Sequence, residues 1–166
     1  MSRAFVKNDG ETPEEPVKRQ PSGRTNYVTP RGLAQLKARA AELETLRAGL
    51  AAAKKPGEPA SLPLRQAELD LLYYENQIKK AVLVDNGGLA DGEVRFGAAV
   101  RVREPGGAEK EYRIVGEDEA DPAAGLLNWA SPLAAALLGA RPGSSVEFSR
   151  KNETARLEVL AVTYPK

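Results

Sequence analysis

The sequence predicts an α+β protein: an antiparallel α-helical coiled-coil hairpin, followed by a small antiparallel sheet with one helix against it. Three observations carry that expectation. Two segments, Thr29 to Lys55 and Ser61 to Ala81, place apolar residues three and four apart, the spacing of one helix face. Between them Pro56-Gly57-Glu58-Pro59 stops a helix. From Gly92 onward the pattern changes to short alternating runs separated by Gly- and Pro-containing turns, as in strands.

The elements follow in chain order. Residues 1–25 hold Pro13, Pro16, Pro21, Gly10 and Gly23 among many charges, with Phe5, Val6 and Val17 as the sizeable apolar residues beyond Met1. Such a segment buries too little to offset its chain entropy and reads as a disordered arm. A partner-binding arm is the alternative. Thr29 suits an N-cap and Pro30 a first helical position, where a missing N–H costs nothing. Leu33, Leu36, Ala40, Leu43 and Leu50 form the first stripe, with Leu46 supporting it and Arg47 interrupting. Lys54 and Lys55 complement the helix C-terminus.

Ser61 begins the second helix, Pro63 is tolerated in its first turn, and Leu64, Ala67, Leu71, Tyr74, Ile78 and Ala81 form the second stripe. Each stripe is narrow, so the two helices should pack mainly on each other, over residues 26–85. A hairpin packed into a globular core is the bland alternative.

Residues 86–166 should form the sheet domain. Its expected strands are Ala98–Arg103, Lys110–Val115, Leu126–Trp129, Ser145–Phe148 and Ala155–Val162. Pro105-Gly106-Gly107 is a turn. Ser131 caps a helix through Leu138, with Pro132 first and Gly139 at its end.

Composition bounds the chemistry. The 166 residues suffice for one ordinary domain or two small ones, and 24 Lys plus Arg against 23 acids give no charge excess that points to nucleic acid or membrane. The chain has no Cys and no His, which excludes disulfides, thiolate zinc sites, cysteine nucleophiles and histidine bases. No apolar run approaches the ~20 residues of a membrane-spanning helix, and no signal-peptide core is evident. A cytoplasmic monomer without cofactor, metal site or catalytic residues is expected.

Tyr112-Arg-Ile-Val-Gly-Glu-Asp-Glu-Ala-Asp121, followed by Ser131-Pro-Leu-Ala134, resembles the C-terminal domain of the Gre transcription elongation factors, the GreA/GreB family. Asn26-Tyr-Val-Thr-Pro-Arg-Gly-Leu33 is similar to the start of that family's coiled coil, Val82-Leu-Val-Asp85 to its exit, and Val94-Arg-Phe-Gly-Ala98 to the first strand beyond it. The resemblance runs from Asn26 to Lys166 and fails at Lys54 to Leu62. It implies an FKBP-like sheet domain that docks on the β′ rim helices of bacterial RNA polymerase. It also implies a hairpin entering the polymerase's secondary channel, with at most indirect contact to nucleic acid. Prolyl isomerase activity does not follow from such a fold alone.

The docking residues implied are Asn128, Trp129, Ser131 and Pro132, joined by Glu119 and Asp121 from the acidic run, which would meet basic residues of the polymerase. For Trp129 the competing reading is a core strand followed by a capped helix, and for the acids a polar turn. Ala130 stands where the family often has a polar residue.

The family's hairpin tip resembles Asp-Leu-x-Glu-Asn-Ala, whose two carboxylates help hold a second Mg²⁺ for transcript cleavage. Here the tip reads Lys54-Lys-Pro-Gly-Glu-Pro-Ala-Ser61, with Glu58 its one acid. Glu68 and Asp70 are two apart and point in different directions from their helix. The hairpin also lacks about a dozen residues relative to the family, which at ~1.5 Å per residue over two arms shortens its reach by about 10 Å. One reading is a polymerase-binding elongation factor of the GreA/GreB type, not itself an enzyme, because any cleavage centre belongs to the polymerase. A second is a non-catalytic secondary-channel binder that competes with true Gre factors. A third is a relative of the regulator of nucleoside diphosphate kinase, whose hairpin is shorter than the Thr29–Asp85 span.

Overall fold

A computed structural model describes residues 14–166. Its first long element, α1, spans Pro30–Ala53. Thr29 caps it, its side chain accepting from the Gly32 N–H at 2.9 Å. Helix α2 spans Leu62–Lys80 and is capped by Ser61 in the same way. At ~1.5 Å per residue the two helices are about 36 and 28 Å long.

Strand β1 (Tyr27–Val28) pairs parallel with β2 (Val82–Leu83), so the chain enters and leaves the hairpin at one end. The two helices are therefore antiparallel, with residues 54–61 at the far end. This two-stranded clasp has no periodic signature because each strand is two residues long.

Leu36, Leu43, Leu64, Ala67 and Leu71 are buried between the helices, with Leu33, Ala40, Leu50, Tyr74 and Ile78 half-buried beside them. Leu46 departs from the expected seam and is 51% exposed. Its place one turn from Leu43 and Leu50 puts it on the flank of a stripe that α2 covers only at its centre. Gln77, which the stripe did not include, is 2% exposed.

Residues 14–25 form no helix or strand, yet they run along α2 in the same direction, from Arg65 near Glu14 to Tyr74 near Arg19. Val17 exchanges backbone hydrogen bonds with the Gln66 side-chain amide at 2.7 and 2.9 Å. The Glu14 carbonyl accepts from Arg65 at 3.2 Å. The Arg19 guanidinium lies 5.0 and 5.5 Å from the ring centroids of Tyr73 and Tyr74 and donates to the Tyr74 hydroxyl at 2.5 Å. The expectation of a disordered arm over residues 1–25 falls, for residues 1–13, outside the described residues.

The sheet domain has strands β3 (Ala99–Arg103), β4 (Glu109–Val115), β5 (Leu126–Asn128), β6 (Ser145–Arg150) and β7 (Glu153–Thr163), in the order β5-β4-β3-β7-β6. Helix α3 (Pro132–Leu137) packs on it. The core joins Val94, Ala98, Val100, Val102, Ile114, Leu127, Ala134, Leu137, Leu157, Val159 and Tyr164.

Two expectations need correction. The sheet is not wholly antiparallel, because β5 pairs parallel with β4, at Arg113↔Leu126 through Val115↔Asn128. A 3-10 turn at Pro122–Ala124 carries the chain from β4 to β5. Val94–Ala98 is not the first strand. It is a turn in which Val94 exchanges backbone hydrogen bonds with the Gly139–Ala140 segment, and Gly97 takes a positive φ of 86°.

Candidate functional site

Three regions hold the residues that the sequence singled out: the hairpin tip, the acidic run after β4, and the loop from Asp121 into α3.

At the tip, Gly57 adopts a φ of 84°, which lets Lys54 to Ser61 turn the chain. The Glu58 N–H donates to the Lys55 carbonyl at 3.1 Å, and the Glu58 carboxylate accepts from the Lys55 N–H at 3.2 Å. The one acidic side chain of the tip is thus turned back onto its own loop. Asp70 is a full helical segment away and accepts from Gln66 at 3.0 Å. No cluster of three or more His, Cys, Asp or Glu residues suited to a metal occurs among the described residues.

The acidic run closes the junction between hairpin and sheet. The Gln77 side-chain amide donates to both Glu117 and Asp118 at 2.8 Å. The Tyr73 hydroxyl donates to Asp118 at 2.5 Å. Burial, then the Asp118 hydrogen bond and charge, push the Tyr73 phenol well above its ordinary pKa, so it remains a donor across the physiological range. Thr29, the cap of α1, donates its hydroxyl to Glu119. A carboxylate at a helix N-terminus also meets the positive end of the helix dipole. Glu119 is 7% exposed and faces the hairpin through Thr29.

Below these contacts the Tyr27 ring stands edge-on to Trp129 at 5.1 Å and lies 6.0 Å from Phe96. Gly116 approaches so closely that a Cβ there would overlap the Tyr27 carbonyl. Gly116→Ala is expected to cost about 3 kcal/mol through forced backbone displacement. Trp129 is the one Trp of the chain, so its fluorescence reports directly on this junction. A lowered melting temperature with red-shifted emission is the expected result, and unchanged emission would show that the close approach is not obligatory.

The loop from Asp121 to Pro132 presents the remaining candidates. Asp121 and Pro132 are exposed. The Asp121 backbone bridges to Leu126 in both directions, which holds the 3-10 turn. Asn128 accepts from the Ala130 N–H at 3.1 Å. Ser131 caps α3, accepting from the Ala134 N–H at 3.3 Å. Trp129 is half-buried, packed on the core and on Tyr27, so much of its ring is already engaged. The structure places Asp121 beside Leu126 at the start of β5, Asn128 at its end and Ser131 and Pro132 at the corner into α3, and it sets Glu119 in the junction.

Tyr27, Tyr73 and Gln77 were missed by the sequence reading. A polar residue, Gln77, beside the apolar stripe at Tyr74 and Ile78 was the one local sign of a buried polar contact.

Residues 89–164 match the family described as transcription elongation factor, GreA/GreB, C-terminal. A transcription elongation factor GreA of Chloroflexus aurantiacus is 33% identical over 150 residues, covering 82% of this chain and 96% of that protein. The chain belongs to the GreA/GreB family. A GreA of Verminephrobacter eiseniae is 41% identical over 92 residues, covering 54% of this chain and 58% of that protein. The chain thus aligns with little more than half the length of several of the GreA relatives it matches. Among solved structures, a GreA/GreB factor from Nitrosomonas europaea is similar at 22% identity and a TM-score of 0.42, covering 85% of this chain and 99% of that one. As a Gre-family chain it combines a two-helix hairpin with the sheet domain that carries the family match. No described helix is long and apolar enough to cross a membrane.

Proposed function

We propose that the chain binds bacterial RNA polymerase through its sheet domain and acts at the secondary channel as an elongation factor of the GreA/GreB type. The observation that carries this reading is the segment from Asp121 through β5 to the corner into α3, inside the matched residues 89–164, where Asp121 and Pro132 stand exposed and Asn128 and Ser131 hold the corner. On this reading the corner meets the β′ rim helices, and the hairpin, residues 26–85, projects from the sheet domain, residues 86–166, into the channel. Residues 1–25 are an arm, of which residues 14–25 lie along the hairpin. Trp129 supports the corner from behind, and Glu119 orients the hairpin without touching the partner. Such a factor would work in the cytoplasm, and cleavage chemistry would remain the polymerase's own.

A second reading is favoured by one observation, the Glu58 carboxylate folded onto the Lys55 N–H. A tip so arranged suits a channel binder that excludes other factors without assisting cleavage.

The test is binding of core RNA polymerase by the full chain. The double variant Asp121→Ala, Pro132→Ala should bind about tenfold more weakly, as expected for two exposed interface residues. Both side chains are exposed, so the circular dichroism melt should not move. Absence of binding by the unmodified chain would overturn the proposal.

A further inference from the structure

Residues 14–25 are held to α2 at both ends and once between. At the outer end the Glu14 carbonyl accepts from Arg65, and Val17 exchanges hydrogen bonds with the Gln66 side chain. Asp70 orients that side chain by accepting from the same amide nitrogen at 3.0 Å. At the inner end the Asn26 side chain donates to the Gln77 carbonyl at 2.9 Å, and the Asn26 carbonyl accepts from the Val82 N–H at 2.8 Å. Between them the Tyr73 and Tyr74 rings stand edge-on, 5.2 Å apart at 86°, with the Arg19 guanidinium over both.

Tyr73 meets all three parts of the chain. It belongs to α2, its ring receives Arg19 of the arm, and its hydroxyl donates to Asp118 of the sheet domain at 2.5 Å. Gln77, four residues along the same helix, donates to Glu117 and Asp118. Two residues before Asp118, Gly116 packs against the Tyr27 carbonyl of the β1–β2 clasp.

We propose that residues 14–25 are a strap that sets the hairpin on the sheet domain, with Arg19 as the positioning residue that acts through Tyr73. A hydrogen bond from a phenol weakens steeply with angle and distance, so it depends on where the ring is held. Tyr74 holds the Tyr73 ring from one side and the Arg19 cation from another. Without Arg19 the ring regains rotamer freedom, and its hold on Asp118 slackens. The clasp then loosens with it, because Gly116 and Asp118 share one short turn against the hairpin.

The strap is releasable. No residue from 14 to 25 is buried, and Arg19 itself is exposed, so the arm opens at less cost than the junction it steadies. Whatever draws Arg19 away from the two rings therefore loosens the junction without touching the sheet. This inference rests on the arm's contacts and is independent of polymerase binding.

The experiment is amide hydrogen exchange of the full chain, read at Val17 and at the clasp amides of Val82 and Val84, which donate to the Asn26 and Val28 carbonyls. Arg19→Ala should speed exchange about threefold at all three, the factor that one exposed cation–π contact supports. Trp129 emission should shift to the red, because that ring packs on Tyr27 of the clasp. Tyr73→Phe keeps a ring for Arg19 and removes the hydroxyl that reaches Asp118. It should speed the clasp amides by itself, and adding Arg19→Ala should then change Val17 alone. Neither side chain belongs to the buried core, so far-UV circular dichroism should be unchanged in all three variants. Clasp amides that Arg19→Ala leaves at their original rates would overturn the proposal. Equal acceleration of the clasp by Arg19→Ala with and without the Tyr73 hydroxyl would overturn it as well.

Discussion

Leu43→Asp is expected to unfold the helical hairpin. Leu43 is 1% exposed at the middle of α1 and is among the largest fully buried side chains of the molecule. Replacing it removes its apolar burial and leaves a carboxylate in a seam whose buried members include Leu36, Leu64, Ala67 and Leu71, side chains that neither accept nor donate a hydrogen bond. The lost packing alone costs about 2–5 kcal/mol, judged from Leu→Ala changes in other cores. The unpaired charge adds several more unless the group protonates, so the sum rivals the ~5–15 kcal/mol that holds a whole small domain folded. The sheet has its own core, centred on Val100, Ile114, Leu137 and Val159, and should persist. Far-UV circular dichroism should therefore lose most of its helical signal while the strand signal remains. Leu46→Asp provides the contrast. That side chain is 51% exposed, and its replacement should shift the melt little. Equal melts for the two variants would show that the hairpin does not rest on this seam.

The contrast between Leu43 and Leu46 also shows what the sequence could and could not disclose. Both leucines obey helical spacing, and periodicity fixes a face only to within its width. Which edge of the stripe is covered depends on where α2 lies, and that is a tertiary fact. The caps were legible because Thr29, Ser61 and Ser131 each act within three residues of their partners, and each makes the expected hydrogen bond. The β1–β2 clasp was not legible, because its partners Tyr27 and Val82 are far apart in the chain and its strands are two residues long. The same holds for Tyr73, Gln77 and Glu119, whose roles arise only when hairpin and sheet meet. For the acidic run the sequence leaves a polar turn and a partner contact both open. In the fold Glu119 meets Thr29 and the positive end of the α1 dipole, a setting that arises only when hairpin and sheet come together.

Stimulation of transcript cleavage is expected to be absent or very weak, and Glu58→Ala should leave it unchanged. A second Mg²⁺ needs hard oxygen ligands presented together. The tip offers one carboxylate, and its Oε2 already accepts from the Lys55 N–H at 3.2 Å. Freeing it would cost that hydrogen bond and would bring the ion beside Lys54 and Lys55, whose charges oppose it. Neither Glu68 nor Asp70 can supply the second ligand, because both lie on α2 beyond the turn and Asp70 is tied to Gln66. The reach adds to the deficit. The arms have 24 and 19 residues, the resemblance leads one to expect a reach about 10 Å short of the family's at ~1.5 Å per missing residue, and metal-assisted chemistry tolerates displacements nearer 1 Å. Backtracked polymerase incubated with the chain should release cleavage product at its intrinsic rate. Added in excess beside an authentic cleavage factor, the chain should slow that factor if both use the same channel. Strong cleavage that Glu58→Ala abolishes would show that the tip rearranges on the polymerase to expose its carboxylate, and that the hairpin reaches the catalytic centre in spite of its length.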